Sequence, residues 1–392
     1  MPIVERNPVK RNTFLALAIA LSGGLVIPLP SLAAVGLVAP DQPHRAISGD
    51  SFGDWIAQTS STDREQQRRI SELIRQARQL LDQRNFAGAV TAYTEAARLD
   101  PENARIYAAM GYAEANQNNF EAAVVAYQRA IALDNSNPDF YIALAFSFAN
   151  LGNYTEAATA YRQVTQLRGN DINAYIGLGV VLGRQEDYEG ALQAYRRASE
   201  IEPRNAVIQE SIGSVLIQQE RYAEAVSVLE QAAALDARSG SIQVNLGVAL
   251  LNTGNTREGL DALRRAAELE PRNGAIYLQI GDVYRIQNNL PDAELYYQRA
   301  VSAQPQLPGA QAALGEIQFA QQDYLQAILT FRRWLEITPD NPDAHYQLGL
   351  ALNARERQDE AIAELQQALD LYNQQGDIDG VARATLALED IQ

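Results

Sequence analysis

Apolar residues recur along this chain at the 3.6-residue spacing of amphipathic helices. From Ile70 to Gln375 that pattern repeats every 34 residues, nine times, without an insertion or deletion. Counted within the unit, positions 4, 7, 8 and 11 fall on one face of a first helix, as Tyr141, Leu144 and Phe148 show in the third unit. Position 8 is glycine at Gly111, Gly179, Gly213, Gly247, Gly281, Gly315 and Gly349, with Ala77 and Ala145 in the other two units. Position 20, on a second helix, is alanine everywhere except Gly259. Position 24 carries Tyr93, Tyr127, Tyr161, Tyr195, Leu229, Leu263, Tyr297, Phe331 and Leu365. Position 27 is alanine apart from Val164 and Trp334, and position 32 is proline in five units.

Each preference has a mechanical reason. Two helices approach closely only where side chains are small, which suits positions 8 and 20. The large side chain at position 24 fills the space beyond that contact, and alanine at 27 lets the second helix meet the next unit. Proline at 32 ends the second helix, whereas Pro291 falls in the first turn of one, where its missing N–H costs little.

These residues resemble the tetratricopeptide repeat (TPR) family, over residues 70–375 and in unbroken register. The resemblance implies an all-α, right-handed superhelical solenoid of helix-turn-helix units, with the first helices lining its concave side. Ordered chain is predicted to begin at Thr62, where Thr62 and Glu65 form a capping-box pattern, so the solenoid spans 62–375. Residues 376–392 read as a half-repeat that covers the last exposed face.

Ahead of the repeats the pattern changes. Arg6, Lys10 and Arg11 precede an apolar run from Phe14 to Leu29, followed by the small residues Ser31, Ala33 and Ala34. That order is the one found in a secretory signal peptide over residues 1–33, the alternative being an uncleaved N-terminal anchor. Either places the body outside the cytoplasm, in a periplasm, a lumen or the extracellular space; only the anchor would attach it to a membrane. Residues 34–61, rich in Gly, Pro, Ser, Asp and Gln, read as a flexible linker.

Charge and composition narrow the function. The chain carries −16, and close to −18 once the N-terminal segment is set aside, a field that repels phosphate backbones and argues against a nucleic-acid partner. There is no cysteine, and Lys10 is the only lysine, which removes thiolate and Schiff-base chemistry from the body. Gly177-Leu178-Gly179 with Gly183 is similar to a dinucleotide loop but follows no strand. Gly49-Asp50-Ser51-Phe52 resembles the nucleophile block of GDS-type esterases, without a histidine base or a sheet to serve it. His44 and His345 are the only histidines, so no metal site and no cofactor is expected; His345 reads as a packing residue. The recurring acids Asp100, Asp134, Glu202, Asp236 and Glu270 share position 31 and read as turn residues.

Function is therefore sought on the first helices, at positions 2, 5, 9, 12 and 13, away from the intra-repeat core. In units two to four the candidate groove is Arg105, Tyr112, Asn116, Asp139, Ile142, Phe146, Asn150, Ile176, Val180 and Arg184, while units seven and eight carry Asp282, Arg285, Glu316 and Phe319. An apolar strip with a few polar groups suits an extended or helical segment of a protein partner. The lysine-based carboxylate clamp of chaperone-binding TPRs has no counterpart here. The sequence reads as a non-catalytic, exported protein-protein interaction scaffold, with a transient assembly or secretion accessory factor as the alternative.

Overall fold

The computed structural model describes residues 61–391, all of whose regular structure is helical. They fall into two compact bodies, one ending at Leu235 and the other beginning at Asp236. The first body holds α1 (Ser61–Asp82), α2 (Phe86–Leu99), α3 (Ala104–Ala115), α4 (Phe120–Leu133), α5 (Pro138–Asn150), α6 (Tyr154–Leu167), α7 (Ile172–Arg184), α8 (Tyr188–Ile201), α9 (Ala206–Gln218) and α10 (Tyr222–Leu235). The second holds α11 (Gly240–Asn252), α12 (Thr256–Leu269), α13 (Gly274–Ile286), α14 (Leu290–Ala303), α15 (Pro308–Ala320), α16 (Tyr324–Ile337), α17 (Pro342–Asn353), α18 (Gln358–Gln375) and α19 (Ile378–Glu389). From α3 to α17 every first helix opens at position 1 of the 34-residue unit, and all nine second helices open at position 17. Thr62 lies inside α1, not at its cap, and the segments before residue 61 fall outside the described residues.

The turns explain this register. Position 15 of every unit is left-handed: Arg84, Asn118, Gly152, Glu186, Glu220, Gly254, Asn288, Gln322 and Glu356 all have φ between 58° and 87°. In most units a short polar side chain at position 34 caps the next first helix. Asn103, Asn137, Asp171, Asn205 and Asn341 accept from the N–H of Arg105, Asp139, Ala174, Val207 and Ala344. The position-31 acids hold the position-34 side chains in turn: Asn103 donates to Asp100, Asn205 to Glu202 and Asn273 to Glu270, each at 2.9 Å. They are turn residues, as their periodicity suggested.

Packing follows the repeat. The eight alanines at position 20 are 0% exposed, and the position-24 side chains are at most 1% exposed. A Cβ built on Gly179 would fall 2.7 Å from the Tyr195 ring, and one on Gly111 2.9 Å from that of Tyr127, so only glycine admits the aromatic ring there. Repeats 1 and 3 carry alanine at position 8, Ala77 and Ala145, and in repeat 3 the Tyr161 ring lies against Gly177 of the next repeat. Repeat 6 keeps Leu263 on Gly247 and adds a second close approach, Leu251 of the first helix packed on Gly259 of the second. Pro291 sits in the first turn of α14 as its position predicted. At the end of the chain α19 covers α17 and α18, burying Ala384, Ala387 and Leu388 and setting Gly380 against the Tyr372 ring.

Candidate functional site

Within each body successive first helices touch one another, α3 with α5 and α5 with α7, and α13 with α15 and α15 with α17. Their shared inner face carries the candidate residues, and repeat 3 supplies its centre. Pro138 starts α5 under the Asn137 cap, which turns Ile142 and Phe146 to that face, both partly exposed. The Phe146 ring meets Phe120 edge-on at 6.2 Å, which fixes its orientation without covering it. On either side lie partly exposed Tyr112 and exposed Arg105, Asn116, Asn150 and Arg184. Asn116 and Asn150 donate to the carbonyls of Tyr112 and Phe146 in their own helices, each at 2.8 Å, and so are held in place.

Two groups of residues behave differently from this set. Asp139 is engaged by Arg168 at 3.0 Å, and the same guanidinium reaches Asp171 at 2.9 Å, so the carboxylate braces the joint between repeats 3 and 4. Ile176 and Val180 are 5% and 3% exposed, in a stretch of α7 buried continuously from Ile176 to Gly183. They build the wall of the face and offer little surface themselves.

The inner face of repeats 7 and 8 is polar. The Tyr297 hydroxyl donates to Asp282 at 2.8 Å and accepts from Arg285 Nε at 3.1 Å. Burial pushes the Asp282 carboxyl above its usual range, against the opposing pull of Tyr297 and Arg285, and burial raises Glu316 likewise. Tyr297 was legible only as the core residue of position 24; that its hydroxyl reaches through to the inner face depends on the polar residues at positions 9 and 12, which this repeat alone combines. His345 is a polar clamp more than an apolar filler, with Nδ1 2.6 Å from Glu364 and Nε2 2.9 Å from the Pro339 carbonyl. Two acceptors on one ring favour the imidazolium. Burial opposes the charge, but Glu364, the Pro339 carbonyl and nearby Asp340 together raise the His345 pKa.

Among the described residues there is no group of three or more His, Asp or Glu placed to hold a metal ion, and no helix long and apolar enough to cross a membrane.

Residues 64–307 match the family model of the C-terminal domain of cilia and flagella-associated protein 70, and residues 278–342 and 312–376 match that of the tetratricopeptide repeat. No curated protein matches the chain. Among solved structures, the C-terminal part of a TPR repeat-containing protein from Cytophaga hutchinsonii is 17% identical, with a TM-score of 0.51 over 61% of this chain and 98% of the other. A tetratricopeptide repeat protein from Parabacteroides merdae is 15% identical, with a TM-score of 0.49 over 64% of this chain and 99% of the other. YrrB, described as a TPR protein with an unusual peptide-binding site, is 23% identical, with a TM-score of 0.41 over 48% of this chain and 98% of the other.

Proposed function

Because this chain belongs to the tetratricopeptide-repeat family, we propose that it is an exported, non-catalytic scaffold that grips an extended or helical segment of a protein partner on the inner face of repeats 2–4. The observation that carries the reading is the partly exposed pair Ile142 and Phe146, set among the polar residues Arg105, Asn116, Asn150 and Arg184. Large apolar side chains left accessible between fixed polar groups match an apolar anchor entering a shallow pocket while its backbone meets the rim. The order of basic, apolar and small residues at the N-terminus supports export. N-terminal sequencing of the mature protein tests it, and a start at Met1 would refute cleavage.

The binding proposal is tested by affinity capture from cell-envelope extract with residues 34–392, beside Phe146→Asp and Ile142→Ser. Both positions are partly exposed, so the variants should keep their helical circular dichroism. A partner retained by the parent and lost by the folded variants supports the inner-face site. Equal capture by all three would remove it.

A further inference from the structure

We infer that the outer face of α19 is a contact between two copies of this chain, a site independent of the inner-face reading. α19 packs on α18 and reaches α17, the place a first helix takes beside the unit before it. Gly380, Ala384, Ala387 and Leu388 face that contact and are buried. In the preceding units a first helix is also packed by the second helix of its own unit, as α17 is by α18, but among the described residues α19 has no such helix. The side turned away from α18 carries Ile378, Ala382, Thr385, Leu386 and Glu389, all exposed. Ile378 is 82% exposed, the most of any large apolar side chain among the described residues, and Leu386 is 60% exposed. The outermost helix of a repeat stack normally turns a polar face to water, and this one does not.

The spacing of the stripe identifies its occupant. Ile378, Ala382 and Leu386 follow one another four residues apart along one side of the helix, with the small side chain in the middle. Two such helices crossing antiparallel about a twofold axis at Ala382 set Ile378 of each copy on Leu386 of the other, and the paired alanines let the axes come close. The charges agree with that pairing even on a chain of −16. Asp379 comes opposite Thr385, so no carboxylate opposes another there. Glu389, the one carboxylate in line with the stripe, lies past Leu386 and reaches the N-terminal end of the other helix, where free backbone N–H groups favour a negative charge. Head-to-tail stacking finds no such match, because the exposed residues described on α1 are all polar or charged. The contact is small beside the roughly 1,200 Å² that a tight dimer buries. The pairing is therefore weak, with a dissociation constant of about 10–100 µM.

Sedimentation equilibrium of the full chain tests the pairing. The parent should pass from monomer to dimer as its concentration rises through about 10–100 µM. Ile378→Asp and Leu386→Arg, both at exposed positions, should each weaken the dimer roughly tenfold or more while leaving the helical circular dichroism unchanged. Mixed in equal amounts, the two variants should associate again. The new acid of one copy then meets the new base of the other, and across the axis the untouched Leu386 of the first meets Ile378 of the second. Recovery on mixing is specific to the antiparallel pairing, since a parallel one would set each position against itself. A parent that stays monomeric to about 0.5 mM would overturn the inference and leave the face to another protein. So would a dimer that both variants retain, which would place the contact elsewhere on the chain, or one that both lose without recovery in the mixture.

Discussion

Repeat 3 offers a quantitative test of how the tyrosines are seated. In the ordinary repeat the ring at position 24 lies on the position-8 glycine of its own first helix, but here Ala145 occupies that place and Tyr161 rests on Gly177. Replacing a helical glycine by alanine normally gains about 1 kcal/mol from helix propensity. At Gly177 the new methyl would be driven into a ring that is itself 1% exposed and walled by neighbours, and overpacking of that kind costs about 1–3 kcal/mol. Gly177→Ala should therefore range from neutral to about 2 kcal/mol destabilising. Gly309→Ala, whose added Cβ would meet only Leu278 at an ordinary 3.5 Å, should be neutral or mildly stabilising. Ala145→Gly alone should lose roughly 1 kcal/mol of helix propensity, yet combined with Gly177→Ala it reopens the usual seat. The double variant should then be better than the sum of the two by about 1 kcal/mol or more. Thermal melts should be read alongside hydrogen exchange in α5–α8, because a repeat array can open locally. If Gly177→Ala protected α7 as an ordinary glycine-to-alanine change would, or if the two changes were additive, the ring would not be held by that glycine.

Three further outcomes are expected. Ala191→Trp places an indole where the methyl is 0% exposed between α7 and α8, and should lower the melting temperature and hydrogen-exchange protection of repeat 4; unchanged melting would remove position 20 from the core. Glu186→Gly relieves a left-handed residue at φ 62° and should stabilise by about 0.5–1 kcal/mol in chemical denaturation; a loss of stability would mean that the side chain matters more than the backbone. His345 has a raised pKa when folded, so its contribution is complete below the unfolded pKa and is lost as pH rises through the folded one. Melts of the parent should therefore fall as pH rises above about 6.5 more steeply than those of His345→Gln, and parallel curves would contradict the clamp.

The helices were legible because the sequence repeats the same packing solution. A glycine or alanine at position 8, an alanine or glycine at 20 and a large side chain at 24 recur in all nine units, and register follows from counting. Exchanges between repeats were not legible. Ala145 looks like a tolerated substitution at position 8, and only the structure shows that the Tyr161 ring lies against Gly177 of the following repeat. The inner face was readable as a periodicity but not as an exposure: Phe146 and Val180 occupy the same position of adjacent units, yet one is partly open and the other 3% exposed.

A chain whose helices restart at the same count every 34 residues can lengthen or shorten by unequal exchange between copies of its own gene segment, each product keeping its turns and caps intact.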